Sequence, residues 1–407
     1  MKLSRSTLSV ALLAALVAPA AHAEVALDVI GNSEVSFEGL LQADYYSYGN
    51  DLKNLNVDAP DGSDSDNELR RAELVLKGKG PGNFEWVLGY DAKDDKFLDA
   101  NVKYKFGNNA NHFIQVGQFK QPNSMEELSS TKNNDFVAKG SITNTFGIAR
   151  RVGVGYYYGD VNWGVNATYF SRELTRNRKH GNGFGLRGTW APILDAGNIL
   201  HFGLSHVDYD ADLGGTAALN TGDIVSFSAR PLADISQTLV STGNITRSDR
   251  VATTGVEGLW VRGPFKLQGE YMKTSVKRYG TAQDVDFDGG YISGLWNITG
   301  ETWTYKSGAP VTGLPDNPAS GMWQLGLRYD TIDLNDGSGN VTTGATTGVL
   351  GGEQDAWTLG VNWYWRSNFK FMLNYVKVDS SKWVGGTTRR YVDDNPNITE
   401  VRMQFYW

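Results

Sequence analysis

Cysteine is absent from the 407 residues, and histidine (5) and proline (11) are sparse. Without cysteine the chain has no disulfide bond, no thiolate nucleophile and no cysteine-bound metal. No histidine lies in a recognisable nucleophile motif, and Gly-x-Ser-x-Gly does not occur, so the sequence predicts no catalytic site. We likewise expect no cofactor and no metal ion. The formal net charge of −7 gives no basic surface for nucleic acid.

Long apolar runs are also missing, apart from one near the amino terminus. Lys2 and Arg5 precede an apolar stretch over 8–16, and Ala21-His22-Ala23 follows as an A-x-A cleavage site. This order predicts a cleavable secretory signal over residues 1–23 and a mature domain over 24–407. A transmembrane helix is the alternative, but the stretch is short and no stop-transfer pattern follows it.

What the chain does contain is glycine (48), tyrosine (19), phenylalanine (17) and tryptophan (12), arranged in alternating segments. Over 161–169 every odd position is apolar and every even one is small or polar, and 358–365 alternates similarly. Such segments of about ten residues are typical of strands with one face to lipid and one to water. Sixteen are predicted: 37–46, 69–78, 82–92, 98–106, 111–120, 150–159, 161–172, 182–191, 198–208, 252–262, 264–274, 289–299, 321–331, 355–366, 368–379 and 400–407.

The connections between these segments alternate between short and long, as turns and external loops of a membrane barrel do. Long connections are expected at 47–68, 121–149, 209–251, 332–354 and 380–399. A further alternating segment, 222–231, is assigned to a loop because bacterial barrels have even strand numbers. One long connection, 300–320, falls on the short-turn side and is expected to fold into the lumen. The sequence therefore predicts an all-β fold: a sixteen-stranded antiparallel transmembrane β-barrel of a Gram-negative outer membrane, with infolded loops.

A barrel of this size encloses water, so passage of solutes is the default function. By alternation the inner wall carries eleven cationic and nine acidic side chains: Arg71, Lys77, Lys103, Lys105, Arg151, Arg172, Arg187, Lys266, Arg328, Lys370 and Arg402 against Glu38, Asp44, Glu73, Glu85, Asp91, Asp99, Glu257, Glu270 and Asp330. This balance predicts that infolded loops decide which ions pass. Lys132 and Lys139 lie in 121–149, Lys120 precedes it and Arg150-Arg151 follows it.

Several segments resemble the phosphate-selective porin O/P family, in order along nearly the whole mature chain. They are LRRAEL (69–74), GQFKQP (117–122), MEELSS (125–130), ARRVGVGY (149–156), TGE (299–301), LRY (327–329), LND (334–336), LGVNWY (359–364) and MLNYV (372–376). The resemblance implies a trimeric sixteen-stranded barrel in which arginines guide anions to a lysine-lined constriction. It therefore implies passive diffusion of small anions, phosphate or polyphosphate, through a loop-constricted pore.

The resemblance also assigns individual residues to the anion path. The Arg70-Arg71 pair and Arg230 match arginine positions of the family, although alternation turns only Arg71 inward. Lys120 and Lys132 match candidates for the lysine cluster. Position rather than resemblance adds Lys139, Arg150 and Arg151, which lie within or directly after the connection 121–149, to the expected path and constriction.

Two departures keep other functions open. Ser226 and Ser228 stand where the family tends to have arginines, and Ala138-Lys139 replaces an expected acidic-arginine pair. A general or non-phosphate small-solute porin is therefore the alternative. An outer-membrane enzyme and a structural or adhesin barrel are the rivals from other classes. Expected partners are small anions, outer-membrane lipid and lipopolysaccharide, and two further copies in a homotrimer.

Overall fold

The computed structural model describes residues 25–30, 33–56, 62–175, 181–211 and 223–407, so the predicted signal, 1–23, lies outside the described residues. Twenty-three strands are formed: β1 (Val25–Ile30), β2 (Ser33–Gly49), β3 (Ser65–Lys79), β4 (Phe84–Asp91), β5 (Lys96–Lys105), β6 (His112–Lys120), β7 (Arg150–Gly159), β8 (Trp163–Phe170), β9 (Gly183–Asp195), β10 (Asn198–Asp210), β11 (Asp223–Val225), β12 (Ser228–Ala229), β13 (Val240–Ser241), β14 (Ile245–Arg262), β15 (Phe265–Arg278), β16 (Val285–Asn297), β17 (Trp303–Lys306), β18 (Ala309–Thr312), β19 (Met322–Gly339), β20 (Thr346–Trp365), β21 (Phe369–Val384), β22 (Arg390–Asp394) and β23 (Asn397–Tyr406).

Sixteen of these strands close into one antiparallel barrel. They are all except β1, β11, β12, β13, β17, β18 and β22, each pairs with the next along the wall, and β23 pairs with β2. The predicted strand count and antiparallel order are thus confirmed. The segment 222–231 lies outside the wall, where its described part forms β11 and β12 between β10 and β14. No helix among the described residues is long and apolar enough to cross a membrane.

Each strand has an apolar outer face and a more polar inner face. On β14, Val256 and Trp260 are 49% and 41% exposed on the outside, whereas Glu257 between them is 7% exposed on the inside. Outward aromatic rings stack near the short-turn end, as Trp363 does with Trp323 and Phe371. In membrane barrels such aromatic side chains lie at the lipid headgroups. The alternation in the sequence therefore arises because successive residues of a strand face lipid and the lumen in turn.

The wall is uneven in height. Strands β4 to β8 have 8 to 10 residues, whereas β19, β20 and β21 have 18, 20 and 16. The long connections predicted at 332–354 and 380–399 were therefore wrong in extent, because strand pairing continues through most of them. Likewise β14 already begins at Ile245, within the predicted loop 209–251. Beyond the membrane neither face meets lipid, so the alternation ends although the backbone hydrogen bonds continue.

The carboxyl terminus completes the closure of the barrel. Gly39 and Trp407 exchange two backbone hydrogen bonds, of 3.1 and 3.2 Å from nitrogen to oxygen. The Trp407 indole covers Gly39, where an added Cβ would lie 2.1 Å from the ring, and it packs 5.8 Å from the Phe37 ring and 5.4 Å from the Phe405 ring. The terminal aromatics thus join the first and last barrel strands.

We expect replacement of Phe405 and Trp407 by serine to reduce barrel assembly. The last strand would lose the aromatic surface that it packs against β2, while its backbone bonds would remain. The fraction of chain that shows heat-modifiable gel mobility should fall at least twofold, since the two half-buried side chains make aromatic contacts worth about 0.5–1.5 kcal/mol each beyond their area. Met403→Leu, an apolar exchange on the same outward face, is the control. Wild-type amounts of folded barrel in the serine variant would contradict the prediction.

Candidate functional site

Two of the long connections fold into the barrel and narrow it, and on the short-turn side the β17–β18 hairpin also folds in, where Arg187 of the wall donates to the Gly308 carbonyl at 2.7 Å. The first inner loop is residues 121–149, and the second inner loop is the described part, 223–244, of the connection between β10 and β14. They touch each other: the Phe146 and Phe227 rings lie 5.6 Å apart, and Thr145 Oγ1 donates to the Ser228 carbonyl at 3.1 Å. The lumen is therefore bounded on one side by loops rather than by the barrel wall.

The first inner loop has local structure of its own. It contains α1 (Met125–Leu128), a 3-10 turn (Thr131–Asn133) and α2 (Ser141–Phe146). Ser124 caps α1 by accepting the Glu127 N–H on its hydroxyl at 3.1 Å, as N-cap serines do. The Gln121 N–H donates to the Ala149 carbonyl at 2.8 Å and closes the base of the loop. These bonds fix the backbone that carries Lys132 and Lys139.

Charged groups of the wall hold this loop in place. Two carboxylates accept its N–H groups: Glu270 from Met125 and Glu126 at 2.9 and 2.8 Å, and Asp330 from Ser141 at 3.0 Å. Four cations reach it from the wall: Lys266 to the Asp135 carboxylate (2.6 Å), Arg328 to the Ala138 carbonyl (3.0 Å), Arg402 to the Val137 carbonyl (2.6 Å) and Lys370 to the Asn134 carbonyl.

Alternation placed these six groups on the inner face of the wall, and they do face inward, but the loop covers them. Lys266, Arg328, Lys370 and Arg402 are 3%, 1%, 0% and 2% exposed. They lie beneath the loop, and buried charges need such hydrogen-bonding partners. Alternation gives the direction of a side chain but does not reveal what covers it.

The second inner loop is held by an arginine of the wall. Asp234 accepts from Arg70 Nε at 2.7 Å and lies 3.9 Å from an Arg402 nitrogen. Burial alone would raise the pKa of Asp234, but the charges of Arg70 and Arg402 lower it below its usual value. The Gln237 N–H also donates to the Leu55 carbonyl at 2.9 Å, so the first extracellular connection supports this loop.

Between the loops and the wall runs a passage of three connected spaces. The constriction cavity, of about 220 Å³, lies beside both inner loops. Leu98, Lys120, Thr131 and Arg150 line both it and the middle chamber of about 430 Å³. The periplasmic chamber, of about 800 Å³, shares Glu38, Lys103 and other residues with the middle chamber and opens at the short turns. The path therefore follows the wall formed by β2 to β9.

Charge changes along this passage. The side chains lining the periplasmic chamber include five cations (Lys77, Lys79, Lys103, Lys105, Lys306) and five acids (Glu34, Glu38, Glu85, Asp99, Asp160). The middle chamber has six cations (Lys77, Lys103, Lys120, Lys132, Arg150, Arg187) and three acids (Glu38, Glu73, Asp99). The constriction cavity has seven cations (Arg70, Arg71, Lys96, Lys120, Lys139, Arg150, Arg402) and three acids (Glu127, Glu173, Asp234). The lining of the constriction cavity thus has an excess of cationic side chains although the whole chain is acidic. Acids just outside this lining partly neutralise that excess, since Arg71, Lys96, Arg150 and Arg402 pair with Glu73, Asp94, Asp99 and Asp44.

Two of the predicted lysines share one carboxylate in this cavity. Lys139 Nζ pairs with Glu127, and Lys120 Nζ lies 4.0 Å from the same carboxylate and donates to the Ser129 carbonyl at 2.8 Å. Burial alone would raise the pKa of Glu127, but the charges of Lys139 and Lys120 lower it to about 2. The carboxylate therefore stays ionised, and each lysine keeps only part of its field for an ion in the passage.

Arg70 and Arg71 both line the constriction cavity, which corrects the expectation that alternation turns only Arg71 inward. On β3, Arg71 pairs with Gln42 and Leu69 pairs with Ala43, so Arg70 is one residue extra on its strand. Such a bulge changes the direction in which a side chain points. It brings two successive guanidinium groups to the lumen: Arg70 beside Asp234, and Arg71 at 2.9 Å from Glu73.

The remaining predicted residues divide into three groups. Arg150 lines the constriction cavity and pairs with Asp99 at 2.9 Å. Lys132 lines the middle chamber, with its Nζ 5.7 Å from the centre of the Tyr406 ring. Arg151, 3% exposed, pairs with Glu173 and lines none of the three spaces. Arg230 is exposed on the second inner loop and also lines none of them.

Sequence reasoning missed several groups of the constriction: Lys96, Glu127, Glu173 and Asp234. Lys96 begins β5 just after a tight turn, and the others lie in connections, where no alternation marks the direction of a side chain. Glu127 had one usable signal, because MEELSS was itself part of the family resemblance.

Three carboxylates near the second inner loop, those of Asp44, Glu68 and Asp234, have oxygen atoms within 4.8 Å of one another. Arginines already neutralise them: Arg402 Nε lies 2.7 Å from Asp44, and Arg70 contacts both Glu68 and Asp234. The group is therefore accounted for as an anchor of the loop.

A closed sixteen-stranded barrel with a lipid-facing belt and a charged, loop-narrowed passage defines an outer-membrane channel of the porin type. The chain belongs to the family of phosphate-selective porins O and P, which matches residues 39–407. It is 27% identical to Porin O of Pseudomonas aeruginosa, over 92% of this chain and 89% of the relative. The fold is similar to OmpT of Vibrio cholerae (TM-score 0.57, 14% identity, covering 94% of this chain and 99% of the other) and to an anion-selective porin from Comamonas acidovorans (TM-score 0.54, 13% identity, 92% and 100%).

Proposed function

We propose that the pore lets small anions diffuse passively across the outer membrane, with inorganic phosphate preferred over chloride. The observation that carries this proposal is the charge of the constriction cavity, where seven cationic side chains face three acids. The larger periplasmic chamber has equal numbers, so the excess of cations is concentrated in the smallest of the three spaces. The family's description and the printed name of the Comamonas relative support the same direction.

The passage would select through fixed charge and hydrogen-bond donors. An entering anion leaves part of its hydration shell, and donors from the protein replace it. Arg70 and Arg71 offer planar guanidinium groups that suit phosphate oxygens, whereas Lys120 and Lys139 offer compact charges. Glu127 and Asp234 partly neutralise these cations, which keeps binding weak enough for the ion to leave.

A general small-solute porin remains the second candidate. Ser226 and Ser228 are exposed on the second inner loop and bring no charge to the extracellular approach, while Arg230 is exposed and lines none of the three spaces. An extracellular approach with so few positive charges favours a modest preference for phosphate rather than strict specificity.

We further infer that the protein forms a homotrimer and is exported by a cleavable signal. The low wall formed by β4 to β8 suits contact with neighbouring copies, and a structural relative is described in a trimer form, which supports a homotrimer. Residues 1–23 would direct export and be removed, leaving 24–407 as the barrel domain. Lipid and lipopolysaccharide would surround the exposed apolar belt.

Recordings from planar bilayers test the proposal. In a potassium chloride gradient we expect a reversal potential of the sign for anion selectivity, and we expect phosphate to reduce the chloride current because it binds the constriction more tightly. A reversal potential of the opposite sign would overturn anion selectivity. Anion selectivity without any effect of phosphate would leave the general porin as the better description.

A further inference from the structure

The passage contains an aromatic pair whose position the anion path does not explain. Phe113 on β6 and Tyr157 on β7 are cross-strand partners, and their rings stack with centroids 5.1 Å apart and planes 8° apart. Both line the middle and the periplasmic chambers. Inward positions of a water-filled barrel are ordinarily polar, so two neighbouring rings there need a reason.

The neighbours on the same strands confirm that these rings face inward. Val116, Tyr156 and Tyr158 point to the lipid side and are 55%, 44% and 47% exposed. The outer belt therefore has its own aromatic side chains on β7, and Tyr157 is not one of them.

The wall is shaped to receive the tyrosine. Gly164 on β8 lies beside it, and a Cβ added there would be 2.2 Å from the Tyr157 hydroxyl oxygen and 2.8 Å from the ring carbon that carries it. Any residue other than glycine would push the ring away from the wall. The aromatic pair is thus accommodated by the neighbouring strand.

One cation stands next to the pair and a second lines the same chamber, and neither is held in a salt bridge among the described residues, although Glu85 and Asp99 act on Lys103 from a longer distance. Lys103 Nζ lies 4.2 Å from the centre of the Phe113 ring. No carboxylate among the described residues lies within salt-bridge distance of Lys103 or of Lys306, which lines the same chamber from the infolded β17–β18 hairpin. Two stacked aromatic rings and two ammonium groups outside any salt bridge among the described residues therefore share one chamber of about 800 Å³.

We propose that this chamber holds a second subsite, for organic anions in which a carboxylate is attached to an aromatic ring. The carboxylate would pair with Lys103 and Lys306, and the aromatic ring would pack against the Phe113–Tyr157 pair, displacing the Lys103 ammonium from the Phe113 ring towards the carboxylate. A small inorganic anion uses only the lysines, so the subsite separates aromatic carboxylates from other anions of the same charge. It extends the range of permeating solutes beyond that set by the constriction.

Benzoate and cyclohexanecarboxylate provide the test, because they have the same charge and nearly the same size but only one has an aromatic ring. In the wild-type channel we expect benzoate to halve the chloride current at a concentration about tenfold lower than cyclohexanecarboxylate. A tenfold ratio corresponds to the free energy of one aromatic contact. In the double variant Phe113→Leu and Tyr157→Leu, the two anions should halve the chloride current at nearly the same concentration, so the ratio of their half-blocking concentrations should be close to one. Phe113→Tyr and Tyr157→Phe, which keep the rings, should preserve it, and Tyr169→Leu on the outer face is the matched control.

Equal block by the two anions in the wild type would overturn the subsite, even if the leucine variant failed to assemble. An unchanged ratio in an assembled leucine variant would overturn it as well. Lys103→Met should weaken the block by both anions to the same extent, because the substitution removes a positive charge but leaves the aromatic rings in place. The outcome is separate from that of the proposed function: the reversal potential and the block by phosphate test the constriction, and only the benzoate ratio tests the aromatic pair.

Discussion

Replacing Lys120 and Lys139 by methionine will weaken anion selectivity and the block by phosphate. The constriction cavity would keep five of its seven cations, while Glu127 would lose both of its lysine partners. Two unit charges a few ångströms from the ion path are each worth about 1 kcal/mol even in a strongly screened passage, so phosphate should block at least tenfold less tightly. Planar-bilayer recordings in a salt gradient, with and without phosphate, measure both effects.

The same variant should acquire a pH dependence from Glu127, whose charge is constant between pH 7 and pH 4 in the wild type because its pKa is held at about 2. Without the lysines, burial raises the pKa of this carboxyl group, and acidification then protonates it. Anion selectivity of the variant should therefore increase as the pH falls from 7 to 4. Lys277→Met, an exposed lysine outside the passage, is the control. Wild-type selectivity in the Lys120 and Lys139 double variant would refute the role given to this pair.

Replacing Glu270 and Asp330 by alanine will release the first inner loop from the wall. These carboxylates accept three of its N–H groups, and leaving a buried donor without an acceptor costs about 1–3 kcal/mol. The barrel ladders do not depend on these contacts, so the protein should still assemble. We expect single channels with larger and fluctuating conductance, together with reduced ion selectivity.

Single-channel recording measures this result directly. Asp286→Ala removes an exposed carboxylate that pairs with Lys273 on the outside of the loop region, at 2.8 Å, and serves as the matched control. Quiet openings of wild-type size in the Glu270 and Asp330 variant would mean that the four cationic contacts hold the loop without the two carboxylates.

The barrel could be predicted from the sequence because membrane and water act on alternate residues. Residues 161–169 display both environments in their alternation, and β8 occupies this segment with Val165 and Tyr169 exposed outward. Even strand number then placed 222–231 in a loop. Where the wall rises above the membrane, as at 332–339 and 346–354, this signal disappears and the strands were missed.

The constriction could be predicted in its residue types but not in its pairing. The bulge at Arg70 cannot be recognised from the alternation, because the sequence does not show which residue is unpaired on the neighbouring strand. Burial of Lys266 and Arg402 depends on contacts with a loop more than 100 residues away in sequence. Such contacts are fixed by the closed barrel, which brings every wall position within reach of the loop.

The graded charge of the passage has an electrical consequence. A pore that is balanced at its periplasmic end and positive at its constriction is not symmetric about the membrane midplane. Anions driven inward meet the positive region before the neutral one, and anions driven outward meet them in the opposite order, so mobile ions accumulate in the pore under one polarity and are depleted under the other. The protein should therefore rectify: in identical salt solutions on both sides, the current will differ between equal voltages of opposite sign.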